Sequence, residues 1–130
     1  MNGMTAISAY RKVDAQSGIT DASPHQLITM LMDGALSRIA AAKGAMARGD
    51  VAAQGEMLGK AISIIDNMRA SLDVERGGEV ATRLRDLYDY MESRLAESSS
   101  SKDEALLDEV SGLMREIKSG WEAIPEEYRG

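Results

Sequence analysis

The chain has 130 residues, of which 44% are apolar and 28% charged, and its formal net charge is −6. This length suits one domain with its own hydrophobic core. The chain has no Cys and one His, which excludes disulfides, thiolate chemistry and metal sites built from several His or Cys side chains. It has nine Met, four Tyr, one Trp and no Phe, a composition that favours helices over strands.

Charge and hydropathy limit the partners. Asp and Glu exceed Lys and Arg only after residue 70, and no basic run occurs, so we expect no nucleic-acid partner. The longest strongly apolar run, Leu27–Met32, is far shorter than the ~20 residues of a membrane span. No apolar signal core follows Arg11 and Lys12. We therefore expect a cytoplasmic protein without membrane insertion.

The N-terminal segment, residues 1–22, is small and polar, with apolar residues at Ile7, Tyr10 and Val13. Their spacing of three places them on one side of a short helix. Gly18 and its polar neighbours interrupt this pattern. We predict a marginal helix on a flexible tether, and we call residues 1–22 the lid segment.

A capping box predicts where the first long helix begins. Ser23 is the N-cap, Pro24 the first helical residue, and Gln26 stands three residues after the cap. Gly49 and Asp50 then supply a left-handed end and a new N-cap in adjacent positions, so the second helix is antiparallel to the first. Between them, apolar residues recur at spacings of three and four: Leu27, Ile28, Leu31, Met32, Ala35, Ile39, Ala42 and Met46.

Three further helices are predicted. The second runs from about Val51 to Leu72 and ends at the glycine-containing stretch 73–78. The third begins near Glu79, and Ser98–Ser101 follows it as a flexible loop. Its outer face offers ion pairs four residues apart, Glu79 with Arg83 and Arg85 with Asp89.

The fourth helix is predicted to open at a second capping box, Ser101 with Glu104, and to stop at Pro125. Four helices of about 20 residues with short connections indicate an all-α, antiparallel up-down-up-down four-helix bundle. We assign residues 1–130 to one domain, with the bundle core at 23–124 and a polar tail at 125–130.

Catalytic and metal-binding chemistry lacks the residues it needs. A di-iron bundle requires Glu-x-x-His pairs, but Ala22 stands three residues before His25, the one histidine. We interpret His25 as an exposed first-turn residue rather than part of a Ser-His-Asp set. A phosphotransfer histidine would need a nearby basic residue, and the residues that follow His25 contain no Lys or Arg before Arg38. We expect no enzyme activity, no cofactor and no small-molecule substrate.

Glycine and methionine are unusually placed for a plain bundle. Glycines inside helices cost about 1 kcal/mol each relative to Ala. Two interpretations stay open: close packing within the bundle, or a loose surface against which another helix can press. Methionine likewise serves either as core filler or as lining for a groove that accepts varied helices. The glycines concerned are Gly34, Gly44, Gly55, Gly59, Gly112 and Gly120.

About residues 7–121 resemble the flagellar secretion chaperone family. The segments that carry the resemblance include Tyr10 with Val13, residues 22–35, Gly49-Asp50, residues 60–65, residues 71–81, Leu87–Met91 and Val110–Trp121. Residues 71–81 with Leu87–Met91 are the most specific, because no generic bundle requires them. Two departures are Met32, where the family usually has Tyr, and the Ser98–Ser101 stretch.

The resemblance implies a helical bundle that binds the disordered C-terminal region of flagellin. Masking that region prevents premature polymerisation, and the complex is then delivered to the export apparatus. In this family the segment around Ile7 and Tyr10 is implicated in covering the apolar surface and in contacting a component of the export gate.

We place the partner-binding groove on the outer apolar surface of helices two and three, and expect some of its candidates to be core residues instead. The alternative is a purely structural bundle that dimerises through the same apolar surface. Self-association, the preferred flagellin and competition by a regulator are left open. The candidates are Met57, Ala61, Ile64, Met68, Leu84, Leu87, Tyr88 and Met91.

Overall fold

A computed structural model describes residues 22–128 of the chain. These residues form four α-helices and no strand, which confirms the all-α prediction. The helices are α1 (Pro24–Arg48), α2 (Val51–Ala70), α3 (Val74–Ser101) and α4 (Glu104–Glu122), and a 3-10 turn follows at Glu126–Tyr128. The predicted lid residues Ile7, Tyr10 and Val13 lie outside the described residues.

The helices form an antiparallel four-helix bundle, as the sequence predicted. α1 packs against α2 and α4, and α3 packs against the same two helices. Ion pairs across α1 and α4 show their opposite directions: Lys43 pairs with Asp108 at 2.7 Å, and Asp33 with Lys118 at 2.6 Å. None of the helices within residues 22–128 has the length and apolar character needed to cross a membrane.

Local capping fixes the start of α1, as predicted. The Ser23 hydroxyl accepts a hydrogen bond from the Gln26 backbone amide at 3.2 Å. The Gln26 side-chain oxygen accepts one in return from the Ser23 amide at 2.8 Å. This reciprocal pair satisfies two amides that a helix start leaves without partners.

A two-residue turn joins α1 to α2. Gly49 has the left-handed backbone (φ 73°) that ends α1, and the Asp50 carboxylate caps α2 by accepting from the Ala53 amide at 3.1 Å. Because the turn is so short, the two helices pack side by side along their length.

The serine stretch was predicted to be a loop, and this is wrong: Ser98–Ser101 forms the last turn of α3. Ser98 is fully buried, and its hydroxyl donates to the Leu95 carbonyl at 2.6 Å. The Gln54 side chain of α2 donates to the Ser99 carbonyl at 3.3 Å. These hydrogen bonds hold the serines in the helix, although serine itself has a low helix propensity.

The predicted capping box at Ser101 and Glu104 is also wrong. Lys102 adopts a left-handed backbone (φ 55°) that ends α3. Asp103 then caps α4 by accepting a hydrogen bond from the Ala105 amide at 3.0 Å. The N-cap therefore falls two residues later than predicted, and α3 and α4 are joined by a second tight turn.

The first turn of α3 precedes a break in the helix. Asp73 caps this turn by accepting from the Arg76 amide at 3.1 Å. Gly78 has φ 54° and ψ −130°, a conformation essentially restricted to glycine, so the regular helix resumes near the predicted start at Glu79. A Cβ on Gly77 would lie 2.6 Å from the Cβ of Ala81, so this position also requires glycine.

The surface of α3 carries one of the two predicted ion pairs. Arg83 contacts Glu79 at 2.7 Å. The predicted pair of Arg85 with Asp89 is wrong, because Asp89 pairs with Arg69 of α2. The Asp89 carboxylate therefore points toward α2 rather than toward Arg85 on its own helix.

Candidate functional site

A large apolar cavity opens at one end of the bundle. Its volume is about 750 Å³, and it lies where α1 and α3 begin and where α2 and α4 end. All four helices contribute to its wall. The apolar lining residues are Pro24, Ile28, Met32, Met68, Leu72, Val80, Ala81, Leu84, Tyr88, Ile117, Trp121 and Ile124.

Small residues help to keep this end of the bundle open. Gly77, Ala81 and Gly120 line the cavity. A Cβ built on Gly120 would meet nothing within 4 Å, so that position faces open space. At the opposite end, the two-residue turns at 49–50 and 102–103 bring the helices together. At this end the bundle therefore departs from a filled core.

His25 and Trp121 join the α1 and α4 sides of the cavity wall. Their rings stack with centroids 4.6 Å apart and planes within 7° of parallel. His25 Nε2 donates to the Trp121 carbonyl at 2.8 Å, and Trp121 Nε1 donates to the His25 carbonyl at 3.0 Å. We call this pair the His–Trp clasp. It overturns the prediction of an exposed histidine, because His25 is only 6% exposed.

Tyr88 forms part of the cavity wall on α3. Its side chain is 3% exposed, and burial raises the pKa of its hydroxyl to about 12. The phenol therefore stays protonated at physiological pH and can donate a hydrogen bond. The mouth of the cavity is polar, since Arg76 and Glu116 are exposed there.

The eight residues predicted to bind a partner occupy different environments. Four of them are buried in the core: Ala61, Met68, Tyr88 and Met91. The other four are half-buried and pack at the edge of the core: Met57, Ile64, Leu84 and Leu87. The cavity brings together three members of the predicted set, Met68, Leu84 and Tyr88.

Two of the half-buried residues point away from the boundary between α2 and α3. Ile64 Cδ1 lies 3.5 Å from where a Cβ on Gly34 would be, so Ile64 points toward α1. Leu87 lies two helical turns before Arg94, whose Nε donates to Glu109 of α4 at 2.9 Å. Residues seven apart share a helix face, so Leu87 lies on the α4 side of α3. Partner binding at these two positions stays a prediction.

Sequence reasoning missed the α1 and α4 sides of the cavity. Ile28 was assigned to the apolar stripe of the first helix rather than to a binding surface, and Ile124 was not singled out. The available signal was that large apolar residues cluster near helix ends with small residues among them. That pattern does not tell which helix ends meet, because the bundle brings together residues almost 100 positions apart.

The described residues do not form a metal-binding site. Within residues 22–128, no group of three or more His, Asp or Glu side chains is arranged to hold a metal ion. The cavity is a mainly apolar surface with a polar mouth.

Comparison with known proteins places the chain among flagellar proteins. Residues 6–128 match the family described as flagellar protein FliS. The chain is 49% identical over 124 residues to the flagellar secretion chaperone FliSB of Pseudomonas aeruginosa, with 95% of this chain and 98% of the relative covered. It is 48% identical over 121 residues to the flagellar secretion chaperone FliS of Salmonella typhimurium, with 92% and 90% covered. For FliS of Vibrio cholerae, identity is 42% over 123 residues, with 95% and 90% covered.

Proposed function

Because this chain belongs to the FliS family of flagellar secretion chaperones, we propose that it binds the C-terminal region of flagellin in the cytoplasm. Binding keeps flagellin from polymerising before export, and the complex is delivered to a component of the export gate. Family membership itself confirms the predicted relationship and the expectation of a chaperone rather than an enzyme.

The observation that carries the proposal is the apolar cavity of about 750 Å³. An amphipathic helix places apolar side chains on one face at spacings of three, four and seven residues, and such helices bind in hydrophobic grooves. The cavity offers such a helix an apolar surface formed by all four helices of the bundle.

The bundle suits a client that is disordered before it binds. Ordering such a client costs about 2–5 kcal/mol of the gross interaction energy. A binding surface that is already in place avoids a second ordering cost. The His–Trp clasp fixes one side of the cavity before any client binds, because two hydrogen bonds and a ring stack join α1 to α4.

The lid segment has a role in the same proposal. Through Ile7, Tyr10 and Val13 it covers the apolar surface in the free protein and contacts the export gate once flagellin is bound. Its attachment point supports this role, because α1 begins at Pro24, which lines the cavity. Residues 1–21 are therefore joined to the bundle at the site they are proposed to cover.

Titration calorimetry with two flagellin segments tests the proposal. We expect the C-terminal segment to bind one-to-one with a negative heat-capacity change, because apolar surface is buried. A matched N-terminal segment should give no heat. If neither segment gives heat with a protein shown to be folded, the proposal is wrong and the purely structural bundle is favoured.

A further inference from the structure

The first turn of α3 is separated from the rest of that helix by a glycine break. Residues 73–77 form this turn with its cap, and we call them the flap. Gly78 follows with φ 54° and ψ −130°, a conformation essentially restricted to glycine. Leu72 before the flap is half-buried and Ala81 after it is buried, whereas residues 73–80 are all exposed. The flap is therefore an exposed turn between two anchored positions.

The hydrogen bonds of the flap lie within the flap itself. The Asp73 carboxylate accepts from the Arg76 amide at 3.1 Å, and the Asp73 carbonyl accepts from the Gly77 amide at 2.8 Å. Arg76 Nε also lies 3.7 Å from the Asp73 carboxylate. Within residues 22–128, no hydrogen bond or ion pair joins the flap to α1, α2 or α4. The flap therefore has no polar contact that fixes it against another helix.

The two sides of the cavity differ in this respect. His25 and Trp121 join α1 to α4 with two hydrogen bonds and a ring stack. On the α3 side, Asp73, Arg76 and Gly77 of the flap line the cavity. A movement of the flap therefore changes the width of the mouth while the His–Trp clasp stays in place.

Apolar side chains are exposed on both sides of Gly78. Val74 on the flap is 37% exposed, and Val80 is 69% exposed and lines the cavity. They are two of the four large hydrophobic side chains that are exposed within residues 22–128. Exposed apolar surface next to an apolar cavity is typical of a surface that a partner covers.

We propose that the flap moves about Gly78 when the client binds and closes over the client helix, so that Val74 contacts it. This inference rests on the proposed function, since the occupant of the cavity is the C-terminal segment of flagellin. Hinges are formed by a few residues that absorb changes in φ and ψ, and glycine permits the widest range of both. The client helix then carries an apolar side chain on the flank that faces α3, in addition to those in the cavity.

Distances between two introduced labels measure the movement. The chain has no cysteine, so introduced cysteines can be labelled selectively with nitroxides. Glu75→Cys on the flap is paired with Arg115→Cys on α4, because both side chains are exposed and neither lines the cavity. We expect the distance between these labels to shorten, and its distribution to narrow, when the flagellin segment binds.

A second pair of labels is the control for the distance. Ser37→Cys on α1 is combined with the same Arg115→Cys, and both positions are exposed. Two ion pairs join α1 to α4, in addition to the packing of these helices. The distance between this second pair of labels should be the same with and without the flagellin segment.

Truncating one valine tests the contact with the client. Val74→Ala should weaken binding of the flagellin C-terminal segment about fivefold, which corresponds to about 1 kcal/mol. The physical reason is that the methyl groups of Val74 are buried more fully once the flap has closed. Circular dichroism checks that the variant keeps its helicity.

Val51→Ala is the matched control for this substitution. Val51 and Val74 are each the first residue of a helix after an aspartate cap. Val51 is 59% exposed and does not line the cavity. Its replacement should leave the affinity for the client unchanged.

The outcomes separate the flap movement from the function on which it rests. If the wild type fails to bind the segment, the proposed function is wrong. If it binds and the distance between the labels at positions 75 and 115 is unchanged or longer, the function stands and flap closure is wrong. If that distance shortens but Val74→Ala binds as tightly as the wild type, or Val51→Ala loses as much affinity, the contact between Val74 and the client is wrong.

Discussion

Two glutamate residues have pKa values displaced in opposite directions by their surroundings. Burial raises the pKa of Glu92 on α3, and the neighbouring charge of Asp66 acts in the same direction. The hydrogen bond from Arg94 lowers the pKa of Glu109 on α4, with a second contribution from the hydrogen bond donated by Tyr90. Folding therefore favours protonated Glu92 and ionised Glu109.

These directions predict opposite effects of two glutamine substitutions. A raised folded pKa contributes stability below the unfolded pKa, and this contribution is lost as pH rises through the folded value. Glu92→Gln should therefore raise the unfolding midpoint at pH 7, and its advantage should shrink as the pH is lowered. Thermal unfolding between about pH 7 and pH 3 measures the effect.

Glu109→Gln should change the unfolding midpoint in the opposite direction. A lowered folded pKa contributes stability above the unfolded pKa, which is lost as pH falls through the folded value. This variant should unfold at a lower temperature than the wild type at pH 7, with a difference that vanishes in acid. Equal pH profiles for both glutamine variants would contradict the assigned directions.

At the same scale, residue environments were predictable only where they depend on near neighbours in the sequence. The pair of Glu79 with Arg83 follows from their spacing of four. The burial of His25 depends on Trp121, which lies 96 positions away and stacks on it from another helix. No local pattern around His25 contains that contact.

At the scale of the helices, the glycines fall into two groups. Gly55 and Gly59 on α2 are exposed, and a Cβ at either position would meet nothing within 4 Å. Close packing within the bundle does not account for these two. Gly78 is different, because its backbone conformation (φ 54°, ψ −130°) strains any residue with a side chain.

Alanine substitutions should distinguish the two groups. Gly55→Ala and Gly59→Ala should each raise the free energy of unfolding by about 1 kcal/mol, because alanine favours the helix and has room for its methyl group. Gly78→Ala should lower it by about 1–3 kcal/mol through backbone strain. Urea denaturation measures all three, and a destabilised Gly59→Ala would contradict the assignment of that position to open space.

Helix starts were predictable where the capping signal is local, as at Ser23 and Asp50. The end of α3 was not predictable in this way. The serines continue the helix because Ser98 is buried and Gln54 of α2 bonds to the Ser99 carbonyl. These contacts depend on the packing of α2 against α3, which outweighs the weak helix propensity of serine.

At the scale of the whole molecule, the question is whether the client binds in the cavity or on the outer surface of α2. Two side chains can distinguish these positions. Leu84 lines the cavity, whereas Ile64 points toward α1. Both side chains are half-buried and pack against the core. They therefore form a matched pair for introducing a charge.

If the client occupies the cavity, Leu84→Asp should weaken flagellin binding at least tenfold, because the bound helix would bury an unpaired carboxylate. Ile64→Asp should have a much smaller effect. Calorimetry gives the affinities, and circular dichroism checks that each variant keeps its helicity. Loss of binding in Ile64→Asp alone, with helicity intact, would favour the outer surface instead.

The bundle topology was predictable from the sequence, because apolar spacing gives the helices and short turns make neighbours antiparallel. The cavity was not predictable. Its existence depends on how far the ends of four helices stand apart after packing, and that separation leaves no periodic signal in the chain. Met68, Leu84 and Tyr88 were selected as candidates for partner contact, but their grouping with Ile117 and Trp121 required the fold.

The antiparallel arrangement brings the start of α1 and the end of α4 to the same end of the molecule. Pro24 and Ile124 both line the cavity, although they lie one hundred positions apart in the chain. A flagellin segment joined by a short flexible linker behind α4 would therefore begin beside its proposed binding site, at an effective concentration in the millimolar range. The same segment inserted at the turn of Gly49 and Asp50 would first have to span the length of the bundle, about 30 Å. The point at which a flagellin segment is covalently attached therefore sets how readily that segment would reach the proposed binding site within a single polypeptide.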